Sequence, residues 1–174
     1  MSQVKFISDL HLGHKRILEF SPQHRLGPTT EDHDEWVIRT IASNMTKRDR
    51  LYILGDVILS NHVPLHILER IPGDKILVRG NHDNRFTTWE FLDVFVDVLG
   101  VSKYKKYWLS HAPLHPDELR GCKNIHGHVH TNSIRDPHHQ YDDRYINVCV
   151  EALKSVPISM QDINNGTYQK IRAC

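Results

Sequence analysis

Asp9 and His11 stand two apart in the run Ser8-Asp9-Leu10-His11, so a carboxylate and an imidazole can turn toward one ion. Asp56 follows Gly55, and Gly80-Asn81-His82-Asp83 offers a neutral amide oxygen next to a His–carboxylate pair. His111 precedes Ala112-Pro113. In Gly127-His128-Val129-His130 two imidazoles are separated by one residue, and Gly127 permits a non-strand backbone on which both face one site. Taken alone, each piece fits a plain loop: an Asp often caps a turn, and a single His is more often packed than ligating. Together they have one chemistry. Carboxylate, amide oxygen and imidazole suit hard and borderline divalent metals, whereas a soft or structural zinc site needs thiolates. None of Cys122, Cys149 and Cys174 falls in a cluster. Asp9, His11, Asp56, Asn81, His111, His128 and His130 make seven candidate ligands, too many for one four-coordinate ion and suited to two ions sharing a carboxylate.

The elements that must position these groups are legible as short β-rich runs. Strands are predicted at 4–8, 51–54, 75–79, 94–99, 104–110, 123–126 and 145–150. Helical turns are predicted at 14–20, 64–71 and 88–93. Thr29 and Thr30 precede Glu31 and Asp32, and Trp36, Val37, Ile41 and Met45 recur at helical spacing, which predicts an amphipathic helix over 31–46. The last twenty residues read as a strand near Val156 and another at 168–171. Strands alternating with short helices indicate an α/β or mixed-sheet fold. Five polar clusters each follow a predicted strand, where loops converge beyond the carboxyl ends of an open α/β sheet.

Bulk properties narrow the class. A chain of 174 residues fits one domain. The net charge of +1 gives no large field, which argues against strong non-specific nucleic-acid binding while leaving a nucleic-acid substrate at one small site open. The N-terminus lacks a basic region followed by an apolar stretch, and no run reaches the ~18 apolar residues of a membrane span. Three widely spaced cysteines read as free thiols in a reducing compartment, so a cytoplasmic, non-membrane protein is expected. Of the 14 His residues, His126 reads as packed, and His14 as either touching substrate or packing its loop. His24, His33, His62, His66, His115, His138 and His139 read as surface residues, and Lys105-Lys106 as a solvated strand face.

The ordered series Asp9-x-His11, Gly55-Asp56, Gly80-Asn81-His82-Asp83, His111 and Gly127-His128-x-His130 resembles the calcineurin-like metallophosphoesterases, in particular their compact prokaryotic and phage-type members. The resemblance spans residues 6 to about 163. It implies a four-layer α/β sandwich of two packed mixed β-sheets flanked by helices, with two metals at one edge. Asp9, His11, Asp56 and His130 match the ligands of one metal, and Asp56, Asn81, His111 and His128 those of the other, Asp56 bridging. His82 matches a catalytic non-ligand His that contacts the phosphate and assists the leaving group, and Asp83 matches its support. Members use manganese, iron, zinc or nickel, manganese being favoured here. Two ions about 3.5–4 Å apart bridge a water, generate hydroxide near neutral pH and neutralise phosphate charge. The expected substrate is a small phosphate ester, a nucleotide among the candidates, with a diester favoured. The alternatives are a phosphomonoesterase or phosphoprotein phosphatase, or a non-catalytic protein-binding scaffold of the same fold. The segments 20–30 and 131–144 differ most among members, and the sequence does not set an oligomeric state.

Overall fold

The computed structural model describes residues 2–168. Strands β1 (Val4–Ile7), β2 (Arg50–Ile53), β3 (Asp74–Val78) and β4 (Asp97–Leu99) run parallel in the order β4-β3-β2-β1, and the two-residue β9 (Ile158–Ser159) pairs antiparallel with β1. The second sheet orders β5 (Ser102–Tyr104), β6 (Tyr107–Ser110), β7 (Lys123–His126) and β8 (Tyr145–Asn147), with β5 antiparallel and the others parallel. Both sheets are therefore mixed.

The first sheet is buried on both faces, which is why its strands read as continuous apolar runs. Alternate residues divide between two cores. Ile7, Leu51, Ile53 and Leu77 face a helical layer, meeting Val37, Ile38 and Ile41 of α2 (Thr30–Ser43) and Phe91 of α3 (Thr88–Leu92). Phe6, Tyr52, Leu54, Ile76 and Val78 face the second sheet, meeting Tyr107, Leu109, Ile125 and Ile146. Each fully buried Leu or Ile of this kind stabilises the fold by about 1.5–3 kcal/mol. Thr29 caps α2 by accepting the Asp32 N–H. The short helices α1 (Ile17–Phe20), α4 (Val150–Leu153) and α5 (Met160–Asn164) complete the chain, Leu153 and Ile163 closing the inner core. The outer face of the second sheet carries segment 111–121, with a 3-10 helix at Pro116–Glu118. The buried Asn124 holds it there, accepting the Leu114 N–H, while Tyr145 donates its hydroxyl to Leu114 O.

Several predicted elements are corrected. The single strand at 104–110 is a hairpin: Tyr104 pairs with Tyr107, and Lys105-Lys106 form its two-residue turn, with Lys105 at φ 55°. A non-glycine residue there runs against the usual Asn-Gly or Gly signal, so the sequence hides the turn. The strand at 94–99 shortens to β4 because Val94 and Phe95 still donate to Phe91 O and finish the α3 turn. The strand at 145–150 stops at Asn147, and α4 begins at Val150. Residues 64–71 contain a 3-10 helix, Leu65–Arg70. The strand expected near Val156 is β9, and that expected at 168–171 lies, beyond Tyr168, outside the described residues. Among the described residues, no helix is long and apolar enough to cross a membrane.

Candidate metal centre

The loops after β1 and β2 lie side by side. Asp9, His11 and Leu12 donate their N–H groups to the carbonyls of Gly55, Asp56 and Val57 at 2.9–3.0 Å. Leu10 and Leu12 are fully buried, which leaves Asp9 and His11 to face the opposite way, into the site. Ser8 bonds the second sheet through its N–H to Val148 O at 2.9 Å, so the two sheets meet where the candidate ligands begin.

Five of the seven candidate ligands have a left-handed backbone: Asp9, His11, Asp56, His128 and His130, with φ between 51° and 70°. Such conformations cost non-glycine residues on the order of 1–3 kcal/mol each and persist only where neighbouring structure dictates them. Two glycines make room. A Cβ on Gly127 would overlap Ser8 Oγ and Asp9 Oδ2, and one on Gly80 would overlap Asp56 Oδ1. Backbone thus approaches the two carboxylates more closely than any side-chain-bearing residue allows.

All seven candidate ligands converge. Asp9, His11 and His130 each offer an atom within 4.8 Å of the other two, and so do Asp56, His111 and His128. Asn81 Oδ1 joins the second group, 2.9 Å from His111 Nε2. Asp56 Oδ2 lies 3.7 Å from His11 Nε2 and 3.4 Å from His111 Nε2, so one carboxylate oxygen borders both groups. Asp9 Oδ1 and His11 Nε2 are buried without a hydrogen-bond partner. Buried polar atoms are costly unless satisfied, and a cation between them would satisfy both. The donor set and these orphaned atoms fit two divalent cations.

Electrostatics agree with that fit. Burial disfavours the Asp9 carboxylate, yet the His11 ring 3.5 Å away, the charge of His111, and polar contacts from Ser8 and the His128 N–H hold its pKa well below the usual range. Burial also disfavours ionised Asp56, but hydrogen bonding and charge from His111 lower its pKa. On His111, burial opposes the proton while the Asp56 and Asp9 carboxylates push the pKa up to about 9. Each carboxylate attracts positive charge to the site.

Tautomers are set from behind. His111 donates Nδ1–H to Leu54 O at 2.7 Å and presents Nε2 to the second group. His130 donates Nδ1–H to Glu151 Oε1 at 2.9 Å and presents Nε2 toward Asp9. Such partners fix ring orientation and raise ligand basicity.

His82 donates its N–H to Asp56 Oδ1 at 2.9 Å, while its ring stays exposed with Nε2 4.0 Å from Asp56 Oδ2. It stands at the rim of the site. The resemblance implies that Asp83 supports the His82 ring; in the structure Asp83 instead accepts the N–H groups of Asp56, Val57 and Gly80 at 2.8–2.9 Å. It buckles the Asp56 loop to the Gly80 loop, and so positions Asp56.

Sequence reading misses a buried polar chain behind the first group. Arg25, from segment 20–30, donates to Glu151 Oε1, Leu10 O and Asp9 O at 2.6–2.9 Å. Its Nη1 lies 3.1 Å from His33 Nε2, which must accept because guanidinium only donates. His33 Nδ1–H therefore donates to Asp34 Oδ1, and Asp34 Oδ2 accepts the Gly13 N–H. His33 is fully buried, which corrects its reading as a surface residue. A signal existed: 33, 34, 37, 38 and 41 share one helical face, and all five are buried. Cys149, outside every polar cluster in the sequence, still reaches the site, its buried Sγ–H donating to Asp9 Oδ2 at 3.1 Å. His126 is packed, as read, with Nδ1 2.8 Å from Gly127 O.

Fold and site together define a mixed two-sheet α/β protein carrying a paired Asp/His centre able to hold metal ions. No family model matches the sequence. A protein of unknown function from Aquifex aeolicus shares the fold, with a TM-score of 0.73 and 26% identity over 95% of this chain and 99% of that one. An uncharacterised protein of Methanocaldococcus jannaschii is 29% identical over 167 residues, 92% of this chain and 88% of the relative. The Gene 66 protein of Mycobacterium phage L5 is 40% identical over 87 residues, 48% of this chain and 41% of that protein.

Proposed function

We propose that this protein is a metal-dependent phosphoesterase of the calcineurin-like kind, acting on phosphodiesters. The observation that carries the reading is Asp56 Oδ2, which stands between His11 Nε2 and His111 Nε2 at 3.7 and 3.4 Å and so borders both candidate metal groups. Asp9, His11, Asp56 and His130 would hold one cation, and Asp56, Asn81, His111 and His128 the other. When bound, the pair supplies charge neutralisation at the phosphate and a water of lowered pKa. The chain does the rest. Asp83 fixes the Asp56 loop, Glu151 and Leu54 O hold two imidazoles in the required tautomer, and exposed His82 can give a proton to a departing oxygen.

The preference for diesters is supported by two cavities that share no lining residue. One, of about 420 Å³, borders His11, His82 and His130; the other, of about 550 Å³, borders Asn81, His111 and His128. A phosphate at the centre would have room for an organic group on each side. The likeness to a phage protein supports a phage-type member, and manganese is the metal we would try first.

The test is hydrolysis of a chromogenic phosphodiester and of its monoester counterpart, with manganese added and then chelated. Diester turnover that disappears on chelation is expected. Cation binding without turnover of either ester would overturn the reading in favour of a non-catalytic scaffold, and faster monoester turnover would overturn the diester preference.

A further inference from the structure

We propose that the cavity beside His11, His82 and His130 is a nucleoside slot, in which a nucleobase rests against Phe20, Ile17, Leu59 and His14 while the ester phosphate lies at the paired centre. The inference rests on the phosphoesterase reading and names the substrate class within it.

Phe20 is the last residue of the four-residue α1 and is 59% exposed. An exposed aromatic ring is unremarkable by itself, but this one lines a cavity of about 420 Å³ that opens on His11, His82 and His130. That volume lies within the range of small-molecule pockets. Ile17 and Leu59 supply apolar wall. The His14 ring lies 5.7 Å from the Phe20 ring at an interplanar angle of 33°, and edge-on to His11 at 5.7 Å. A nearly continuous aromatic surface therefore leads from Phe20 to a candidate metal ligand. The Arg16 guanidinium stands over the Phe20 ring, 4.8 Å from its centre. Base stacking on aromatic rings, with Arg support, is the sequence-tolerant way to hold a nucleobase.

A rim with basic residues adjoins the apolar wall. Past His14 and Leu59 the surface continues into a second cavity, bordered by Lys15, Arg16 and His62. The slot offers stacking, and on this rim Lys15 offers a cation to a neighbouring phosphate, while Arg16 pairs with Glu19 at 2.9 Å.

The test compares two manganese-supported reactions with the same leaving group: thymidine 5′-(p-nitrophenyl phosphate) and methyl p-nitrophenyl phosphate. The wild type should favour the nucleoside ester in kcat/KM by about tenfold or more. Phe20→Ala should abolish that preference while leaving methyl ester turnover within about twofold. A direct reading comes from calorimetric binding of adenosine 5′-monophosphate against inorganic phosphate, where Phe20→Ala should weaken only the nucleotide, again by about tenfold. Equal losses on both esters, or an unchanged preference, would overturn the slot. If neither ester is hydrolysed, the phosphoesterase reading fails separately, and the binding comparison still decides whether Phe20 receives a base.

Discussion

His130 donates its Nδ1–H to Glu151 Oε1 at 2.9 Å, and the same carboxylate oxygen accepts from Arg25 Nε at 2.8 Å. The buried carboxylate thus ties an imidazole of the candidate metal centre to a guanidinium that also grips the carbonyls of Asp9 and Leu10. Burial disfavours the Glu151 charge, but the His130 hydrogen bond and the Arg25 charge hold its pKa down to about 2.

Removing one end of this pair should show in metal affinity. Glu151→Gln leaves the shape nearly intact but loses the anion that orients His130. Cation affinity at the Asp9 group should fall about 10–100-fold, measured by calorimetric titration of manganese. Arg25→Ala should act on stability instead, costing about 3–5 kcal/mol because it strands a buried carboxylate. Denaturant unfolding of the metal-free protein checks this.

Asp56 and His82 separate cation binding from turnover. Asp56→Asn should lower cation content and remove most metal-dependent hydrolysis, because one oxygen serves both groups. His82→Ala should retain both cations and lower kcat by about 10²-fold or more. Elemental analysis alongside kinetics distinguishes them; metal loss from His82→Ala would make His82 a ligand.

Cation uptake should depend on pH in one direction. The His111 pKa is raised from 6.5 to about 9 by the Asp56 and Asp9 carboxylates against burial. In the cation-free protein the stability from this imidazolium is fully present below pH ~6.5 and is lost as pH rises through about 9. A cation must displace that proton, so apparent affinity should rise with pH and level off above about 9. Titrations in buffers of differing ionisation enthalpy would reveal the released proton; pH-independent affinity between 6.5 and 9 would contradict the displacement.

Close approach at Gly127 gives a steric test. Gly127→Ala should destabilise by about 1–3 kcal/mol and weaken cation binding, since its Cβ would press on Asp9 Oδ2. Gly100→Ala, with nothing within 4 Å of the added carbon, should stay within about 0.5 kcal/mol of wild type. Thermal unfolding of the pair measures the difference.

The seven candidate ligands were legible because each lies in a short polar run just beyond an apolar one, and the strands that carry them obey local rules of burial and propensity. The division of these strands between two cores was not legible, because a continuous apolar run such as 51–54 does not say which residues face which layer. Sequence did not disclose the Lys105-Lys106 turn, whose left-handed residue is a lysine, nor that Asp83 serves the Asp56 loop. Arg25 and Glu151 are 126 residues apart, with no periodicity linking them. Local pattern selects which side chains can bind a cation. Only the packing of the two sheets against each other decides which distant groups stand behind them, because burial turns an unremarkable Arg and Glu into partners that must find each other.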